Sequence, residues 1–248
     1  MPLFDARVRK AACWAAVGTL LTAGLAAVAQ QAAATSDTVC DGTLGSRVVE
    51  RVVVPNGATC RLRGTTVRQN VVVGRGETLD ARGARILGSV QATNGPRSVR
   101  LLDTDVLGNI HIREAKGVVL IGNSGCGIDP VAGNNIHLVE NTGPIGICRM
   151  GIRGNLHIVN NSDTVFVRSN RVGNNLHARG NHGRFLRLRD NRVGTRSNGN
   201  LVVENNRTAT RLRSNRASNH LVCRANRTIE GSGNRAAGGM RNQCANLR

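Results

Sequence analysis

The chain has 248 residues with 34 Lys and Arg against 15 Asp and Glu, so its formal charge is +19 at neutral pH. A field of that strength favours polyanions or anionic surfaces as partners and carries no information about the fold. Aromatic residues make up 2% of the chain and Tyr is absent. This argues against sites that stack sugar rings or the bases of single-stranded nucleic acid on aromatic platforms.

The first segment, residues 1–29, differs from the rest of the chain. Basic residues at positions 7, 9 and 10 precede an apolar stretch that ends in Ala-Val-Ala at 27–29. A basic head, an apolar middle and small residues at the end are typical of a secretory signal peptide. We therefore predict cleavage after Ala29 or Ala34 and export of the remainder; the alternative is a retained membrane anchor. Removal of 1–29 would lower the formal charge to +17, and no later segment is apolar enough to span a bilayer.

Two further regions follow. Residues 30–47 are predicted to be an N-terminal lead-in that contains the first remaining cysteine, and residues 48–248 a single repeat domain. The first part of that domain, 48–106, contains short Val-rich runs such as Val71-Val72-Val73. These runs have the texture of β-strands, although their repeat is weak.

A stronger repeat begins near residue 108. Gly-Asn-(Ile/Leu)-His and its variants recur so that equivalent positions lie 26, 20, 20, 25 and 20 residues apart. Such a period is typical of repeat architectures. Alternating runs such as Leu156-His157-Ile158 indicate half-buried strands, and Gly and Asn occur too often for helices. The sequence therefore predicts an all-β fold, a single-stranded right-handed parallel β-helix of about eight coils, near 40 Å long.

Asparagine recurs at two fixed places in this repeat. The first set comprises Asn141, Asn161, Asn181, Asn206 and Asn226, and the second Asn170, Asn191, Asn215 and Asn234. Asn tolerates the left-handed conformation of sharp turns, and stacked amides can hydrogen-bond from coil to coil. We therefore predict two Asn ladders. The same register predicts inward columns containing Leu156, Ile158, Val165, Val167, Leu186, Leu188, Val99, Leu101, Val118 and Leu120.

Six cysteines lie beyond the predicted signal peptide, and an even number in an exported chain favours disulfides. They are Cys40, Cys60, Cys126, Cys148, Cys223 and Cys244. Consecutive pairing gives separations of 20, 22 and 21 residues, each one repeat. Residues one repeat apart in stacked coils lie about 4.8 Å apart, within reach of a disulfide. Zinc binding is the alternative, although no C-x-x-C spacing is present.

Several of these segments resemble a known group of proteins. They are the Val-rich opening that ends at Cys60, the Gly-Asn-Asn-(Ile/Leu) units and the closing Asn219-His220-Leu221-Val222-Cys223. Over about residues 39–248 the chain resembles small exported actinobacterial β-helix proteins, and its architecture is similar to that of pectin-lyase-like proteins. That group has no assigned activity, so the resemblance implies a fold and export but no chemistry.

One outward column is predicted to consist of histidines in four successive coils: His111, His137, His157 and His177. Imidazoles stacked about 4.8 Å apart could share a transition metal or become charged together near pH 6. Alternatively, the column is the product of repeat duplication and covers a sheet face. No cofactor is expected.

Arginines form further outward columns. One contains Arg168, Arg189 and Arg213, with Arg187 and Arg211 beside it, and another contains Arg171, Arg192, Arg216 and Arg235. Stacked like charges repel one another, and a bound polyanion would offset this repulsion because guanidinium groups match carboxylate and phosphate oxygens. Counterions around a solvated Arg-rich surface are the alternative.

The function expected from these features is binding of an anionic extracellular polymer or cell-wall component, such as acidic polysaccharide or teichoic acid, by an exported protein without catalysis. The alternatives are a pectin-lyase-like lyase or hydrolase and a structural envelope protein with no specific ligand. A lyase would need clustered carboxylates for calcium, whereas Asp103 and Asp105 form only a sparse pair. An inverting hydrolase would need two carboxylates facing one cleft, and no aligned pair is found.

Overall fold

The computed structural model describes residues 36–125 and 128–248. Within these ranges the chain forms strands, turns and bends, and no helix. It follows that none of the described residues lies in a helix able to cross a membrane. The predicted signal peptide 1–29, the cleavage site at Ala34 and Cys126 lie outside the described residues.

The strands, numbered β1 to β31 along the chain, form three parallel sheets. Sheet 1 contains β1 (Asp37–Val39), β4 (Arg51–Val54), β7 (Val71–Val73), β10 (Val90–Ala92), β13 (Ile110–Arg113), β16 (Ile136–Val139), β19 (Leu156–Val159), β22 (Leu176–Arg179), β25 (Leu201–Glu204), β28 (Leu221–Arg224) and β31 (Met240–Asn242). Sheet 2 contains β2 (Gly42–Leu44), β5 (Thr59–Arg63), β8 (Thr78–Arg82), β11 (Ser98–Leu102), β14 (Val119–Gly122), β17 (Ile145–Cys148), β20 (Val165–Arg168), β23 (Phe185–Arg189), β26 (Ala209–Arg213) and β29 (Thr228–Ser232). Sheet 3 contains β3 (Val48–Val49), β6 (Thr66–Val67), β9 (Arg85–Ile86), β12 (Asp105–Val106), β15 (Val131–Ala132), β18 (Gly151–Ile152), β21 (Arg171–Val172), β24 (Arg192–Val193), β27 (Arg216–Ala217) and β30 (Arg235–Ala236).

Each coil contributes one strand to each sheet, so the described residues form a parallel β-helix of ten coils, with β31 added at the end. The all-β parallel fold predicted from the sequence is confirmed, but the expected number of about eight coils is too low. Strands β1 and β2 fall within the segment 30–47 and already pair with the next coil. Ten coils at about 4.8 Å give a stack near 48 Å long.

The sequence repeat is weak in the first four coils because residues other than Asn occupy their corners. Thr65 and Thr104 are buried at corners and donate their hydroxyl hydrogens to backbone carbonyl oxygens, at 2.8 Å to Leu44 and 2.9 Å to Leu102. Ala84 occupies the equivalent place between them and is also buried. The same corner is thus built with different side chains, which hides the repeat.

The core is a set of aliphatic columns that run through the coils. In sheet 1, Ile110, Ile136, Leu156, Leu176 and Leu201 occupy equivalent positions and are completely buried. Each column has apolar neighbours one coil above and below, so most of the apolar surface in the described coils is removed from water.

One predicted part of the core is wrong by a single residue. Val118 and Leu120 are only partly buried, whereas Val119 and Ile121 face inward and pair with Val99 and Leu101. The run from Val118 to Ile121 is apolar throughout, so alternation does not indicate which residues face the core. Pairing with the preceding coil sets the register instead.

Both predicted Asn ladders are present and buried. In the first ladder, Asn161 Nδ2 donates to Asn181 Oδ1 at 3.0 Å, and equivalent bonds link its other members. In the second, Asn170 Nδ2 donates to Asn191 Oδ1 at 3.0 Å, and Asn191 and Asn215 repeat the pattern. A third, half-buried ladder that the sequence analysis did not predict links Asn109, Asn135, Asn155, Asn175 and Asn200.

The left-handed backbone conformation does not occur at the ladder asparagines. In the two predicted ladders it occurs one residue earlier, for example at Asn160 (φ 55°), Ser169 (φ 58°) and Asp190 (φ 55°). In these two ladders the residue before each Asn turns the chain at the corner, and the ladder Asn then points inward. The turn and the amide ladder are therefore carried by two adjacent residues.

Two of the three predicted disulfides are present. Cys40 is joined to Cys60 and Cys223 to Cys244, with Cα–Cα distances of 5.2 and 5.1 Å. The first disulfide links the first two coils at the N-terminal end of the stack, and the second links the last turns at its C-terminal end. The pairing predicted for Cys148 involves Cys126, which lies outside the described residues, and Cys148 is not bonded to any described cysteine.

Candidate anion-binding face

The first Arg column, defined as Arg168, Arg189 and Arg213, lies on the outer face of sheet 2. These residues end β20, β23 and β26 and are direct partners in the parallel register. The residues before them, such as Val167 and Leu188, are completely buried, so strand alternation turns the arginines outward. All three arginines are exposed, and their backbones repeat at the inter-strand spacing of about 4.8 Å.

The second Arg column lies on sheet 3. It consists of Arg171, Arg192, Arg216 and Arg235, which begin β21, β24, β27 and β30. These residues are also register partners, and all are exposed. In the next coil toward the N-terminus the column ends at Gly151, which has no side chain.

The two columns lie on either side of one corner of the β-helix. Arg189 and Arg192 are separated by Asp190, which has a left-handed backbone, and by the buried ladder residue Asn191. Three residues of chain span at most about 10 Å. The columns therefore form one continuous basic edge, which runs along the stack over at least three coils.

Few carboxylates neutralise this edge. Arg189 pairs with Asp190 at 3.0 Å, and Arg211, beside the first column, pairs with Glu230. Among the described residues, the other members of both columns have no acidic partner within salt-bridge distance, namely Arg168, Arg213, Arg171, Arg192, Arg216 and Arg235. Like charges 4–5 Å apart repel by about 1 kcal/mol in water and by more beside a protein surface.

Several arginines elsewhere on the stack are paired with carboxylates. In sheet 2 near the N-terminus, Asp80 accepts from Arg63 at 2.7 Å and from Arg82 at 3.3 Å. Burial would raise the pKa of Asp80, but hydrogen bonds and charge from the two arginines outweigh it and lower the pKa. Glu204 similarly lies between Arg179 and Arg224. Exposed arginines without a salt bridge also occur elsewhere, for example Arg61 and Arg85, but the register partners of these two are Thr and Asp residues. What distinguishes the basic edge is that its arginines follow one another in register from coil to coil.

Arg187, which was predicted as part of the anion-binding set, has a different environment. Its guanidinium carbon lies 5.3 Å from the ring centre of Phe166 and 4.8 Å from that of Phe185, a cation–π arrangement. The side chain is half-buried, and its Nε atom has no hydrogen-bond partner among the described residues. The two rings hold Arg187 in place, so it is less free to reorient than its exposed neighbours.

Phe166 and Phe185 were not identified from the sequence. Both are exposed, at 42% and 37%, on the outer face of sheet 2 beside the first Arg column. Phe166 occupies the outward slot that holds Gly146 in the preceding coil and Arg187 in the next. The available signal was an aromatic residue at an outward position of a strand that also carries an outward Arg, namely Phe166 with Arg168 and Phe185 with Arg187.

The four predicted histidines form a stacked column on sheet 1. Their ring centres are separated by 5.4, 4.8 and 5.3 Å, and the rings of His137 and His157 are nearly parallel, at 11°. Burial, then charge repulsion from His111, lowers the pKa of His137. Burial and both neighbours lower that of His157 to about 4. Burial also lowers the pKa of His177, partly opposed by Glu204.

These shifts limit what the column can do. The lowered pKa values of His137, His157 and His177 make protonation of these rings less favourable than that of a free imidazole, so the column becomes cationic less readily as the pH falls. Among the described residues, no group of three or more His, Cys, Asp or Glu side chains is arranged to hold a metal ion.

The chain was compared with protein-family models, with curated proteins and with solved structures, and none of them matches it.

Proposed function

We propose that the protein binds an extended anionic polymer along the basic edge formed by the two Arg columns. The observation that carries the proposal is the alignment of exposed arginines, most of them without acidic partners, in two columns at one corner of the stack. Polyanion binding would neutralise these charges and release the counterions that they otherwise hold. Guanidinium groups suit this role because their N–H donors match carboxylate and phosphate oxygens in pairs.

The regular spacing of the columns supports a polymer as ligand. Arg168, Arg189 and Arg213 repeat along the stack at the inter-strand distance of about 4.8 Å, and the second column repeats in parallel with it. A small anion would contact one or two coils. A chain with a charge on each unit can contact several coils at once, so that weak contacts add through high local concentration.

The compartment is part of the proposal. Two disulfides that each join neighbouring coils fit an oxidising environment outside the cytoplasm. We place the chain with exported β-helix proteins of pectin-lyase-like architecture, acting at the cell wall or in the extracellular medium. The candidate ligands are therefore acidic polysaccharide and wall teichoic acid, and the proposal includes no catalytic step.

The test measures binding of polygalacturonate and teichoic acid to the purified protein and two variants. The column variant carries Arg168→Gln, Arg189→Gln and Arg213→Gln. The control variant carries Arg61→Gln, Arg85→Gln and Arg97→Gln, which removes the same charge from exposed positions in the N-terminal coils. We expect the wild type to bind at least one polymer at low salt, and the column variant to bind at least about tenfold more weakly, or 1.4 kcal/mol.

The control variant is expected to lose no more than about threefold, since general electrostatic attraction alone is reduced. Equal losses in the two variants would show that net charge, and not the basic edge, is responsible. Absence of binding to both polymers at low salt would contradict the proposed function.

A further inference from the structure

A recess beside the second Arg column gathers four arginines. Arg171 and Arg192 of the column line it together with Arg153, Arg196 and Thr195. Its floor is formed by Val131, Gly151 and Ile152, and its volume is about 380 Å³. The arginines come from three successive coils, and the recess overlaps the basic edge in the two coils that contain Arg171 and Arg192.

Arg196 reaches the recess because of an insertion. The stretch of chain from β22 to β25 is longer than the equivalent stretches on either side, with a 25-residue spacing between His177 and Val202, and the additional residues form the loop 194–199. The backbone N–H groups of Thr195 and Arg196 donate to the carbonyl oxygens of Val172 and Gly173 at 3.1 and 3.0 Å. The loop is therefore folded back onto the preceding coil.

The loop is fixed from both sides. Ser197 Oγ donates to Asn174 Oδ1 at 3.1 Å on the preceding coil. On the following coil, Ser218 Oγ donates to Ser197 O and accepts from Gly199 N, both at 2.9 Å. A loop held in this way is ordered before a ligand arrives, which lowers the entropy cost of binding.

Gly173 is required beneath this loop. A Cβ atom there would lie 2.0 Å from the carbonyl oxygen of Arg153 and 3.1 Å from Cδ of Arg196. The absence of a side chain lets the Arg196 stem lie against the preceding coil, toward Arg153 and Arg171.

The charges in the recess are not compensated. Among the described residues, none of its four arginines pairs with a carboxylate, whereas Arg113, Arg149 and Arg224 on other faces all do. The Thr195 hydroxyl already donates to Val172 O at 3.2 Å, so the guanidinium groups are the donors that remain. The recess therefore presents four positive charges and many N–H groups on a small surface.

We infer that this recess binds a phosphate or diphosphate group. Four guanidinium groups need a compact ligand with at least two negative charges and several acceptor oxygens. A phosphate dianion or a diphosphate provides these, whereas a single carboxylate has one charge and two oxygens. The inference deepens the proposed function, on which it rests in part, because Arg171 and Arg192 also belong to the second column. It assigns new roles to Arg153 and Arg196.

The test is isothermal titration of the full chain with inorganic phosphate, pyrophosphate and acetate at low salt. The recess variant is Arg153→Gln with Arg196→Gln, and the matched control is Arg85→Gln with Arg97→Gln. We expect pyrophosphate and phosphate to bind and acetate to bind much more weakly. The recess variant should lose about 10- to 100-fold in pyrophosphate affinity, and the control less than about threefold. Unchanged melting temperatures would show that both variants are folded.

Three outcomes would overturn the inference: no binding of either phosphate probe by the wild type, equal losses in the recess and control variants, or acetate binding as tight as that of pyrophosphate. Polymer binding by the recess variant separates the two proposals. This variant keeps Arg168, Arg189 and Arg213, so it can still bind a polymer along the basic edge even when it no longer binds pyrophosphate in the recess. Pyrophosphate binding without polymer binding would contradict the proposed function only. A phosphate-rich polymer that loses affinity in the recess variant would identify a polymer as the source of the phosphate, whereas an unchanged affinity would identify the free anion.

Discussion

Asn191 shows how much of the stability depends on single side chains within a ladder. Its Nδ2 atom donates to Val167 O and to Asn215 Oδ1, both at 2.9 Å, and its Oδ1 atom accepts from Asn170 Nδ2 at 3.0 Å. The residue is completely buried. The backbone N–H of Asn170 also donates to Asn191 Oδ1, at 3.1 Å. Replacement of the Asn191 side-chain amide would remove four hydrogen bonds from buried groups, although Asn170 Nδ2 would keep its bond to Ile147 O and Asn215 Oδ1 its bond from the Asn191 backbone N–H.

We therefore expect Asn191→Ala to lower the free energy of unfolding by about 2–4 kcal/mol. The control is Asn134→Ala, at an exposed position outside the ladders, for which a change within about 0.5 kcal/mol is expected. Denaturant unfolding of both variants measures the difference. Similar midpoints for the two would show that the ladder does not stabilise the fold.

Thr208 offers the opposite case, a polar atom whose removal is favourable. Its hydroxyl is buried and has no hydrogen-bond partner among the described residues. The isosteric change Thr208→Val should raise the free energy of unfolding by up to about 1 kcal/mol. Thr210→Val is the matched control. It removes a hydroxyl that donates a hydrogen bond to Thr208 O at 3.3 Å, so the same substitution here loses a hydrogen bond. Thermal unfolding should rank the Thr208 variant above the wild type and the control at or below it.

At the scale of structural elements, the His column links stability to pH. The pKa values of His137, His157 and His177 are lowered in the folded state, that of His157 to about 4. The unfolded chain therefore takes up protons first as the pH falls below about 6.5. The contribution of the column to stability is complete above this pH and is lost progressively between about 6.5 and 4.

We expect this loss to be about 1–2 kcal/mol, a figure reduced for the partial exposure of the rings. His157→Gln should flatten the dependence of the unfolding midpoint on pH, whereas His182→Gln, at an exposed site outside the column, should leave it unchanged. An unfolding midpoint that rises on acidification from pH 6.5 to 4 would contradict the claim that the lowered pKa values of the column histidines destabilise the fold at acidic pH.

The Arg columns are also a property of elements and not of single residues. Each guanidinium belongs to a different coil, and the parallel register of sheets 2 and 3 brings equivalent residues together. A one-residue shift in β23 would turn Arg189 toward the core and Leu188 toward solvent. The packing of the aliphatic columns therefore also fixes the spacing of the charges.

At the scale of the whole molecule, the sequence predicts the fold where the repeats are strong and fails where they are not. Asn, Gly and His at regular spacing predict the coils after residue 108, since each residue type has a specific role at a corner or on a face. The coils before it have Thr65, Ala84 and Thr104 at the equivalent corners, so their number was underestimated. In the apolar run 118–121, alternation is absent, and only contact with the neighbouring coils determines the register.

The candidate site could be predicted only in part for a related reason. The alignment of the arginines follows from the repeat. Which of them are paired with a carboxylate does not follow from it. Asp80 lies 17 residues from Arg63, and Glu204 lies 20 residues from Arg224, each one coil away. Which arginines remain unpaired depends on these contacts between coils. The recess also depends on how the loop 194–199 folds back, which its sequence alone does not indicate.

The most direct test of the basic edge is the salt dependence of polymer affinity. Using the polymer that binds the wild type most tightly, the dissociation constant is measured across a series of salt concentrations for the wild type, the column variant and the control variant. Each arginine in contact with a polymer charge contributes about 0.7–0.9 to the slope of log affinity against log salt concentration. We predict that the slope of the column variant is smaller by about 2–3 and that the slope of the control is nearly unchanged. Equal slopes for all three proteins would contradict the claim that the polymer lies along the Arg columns.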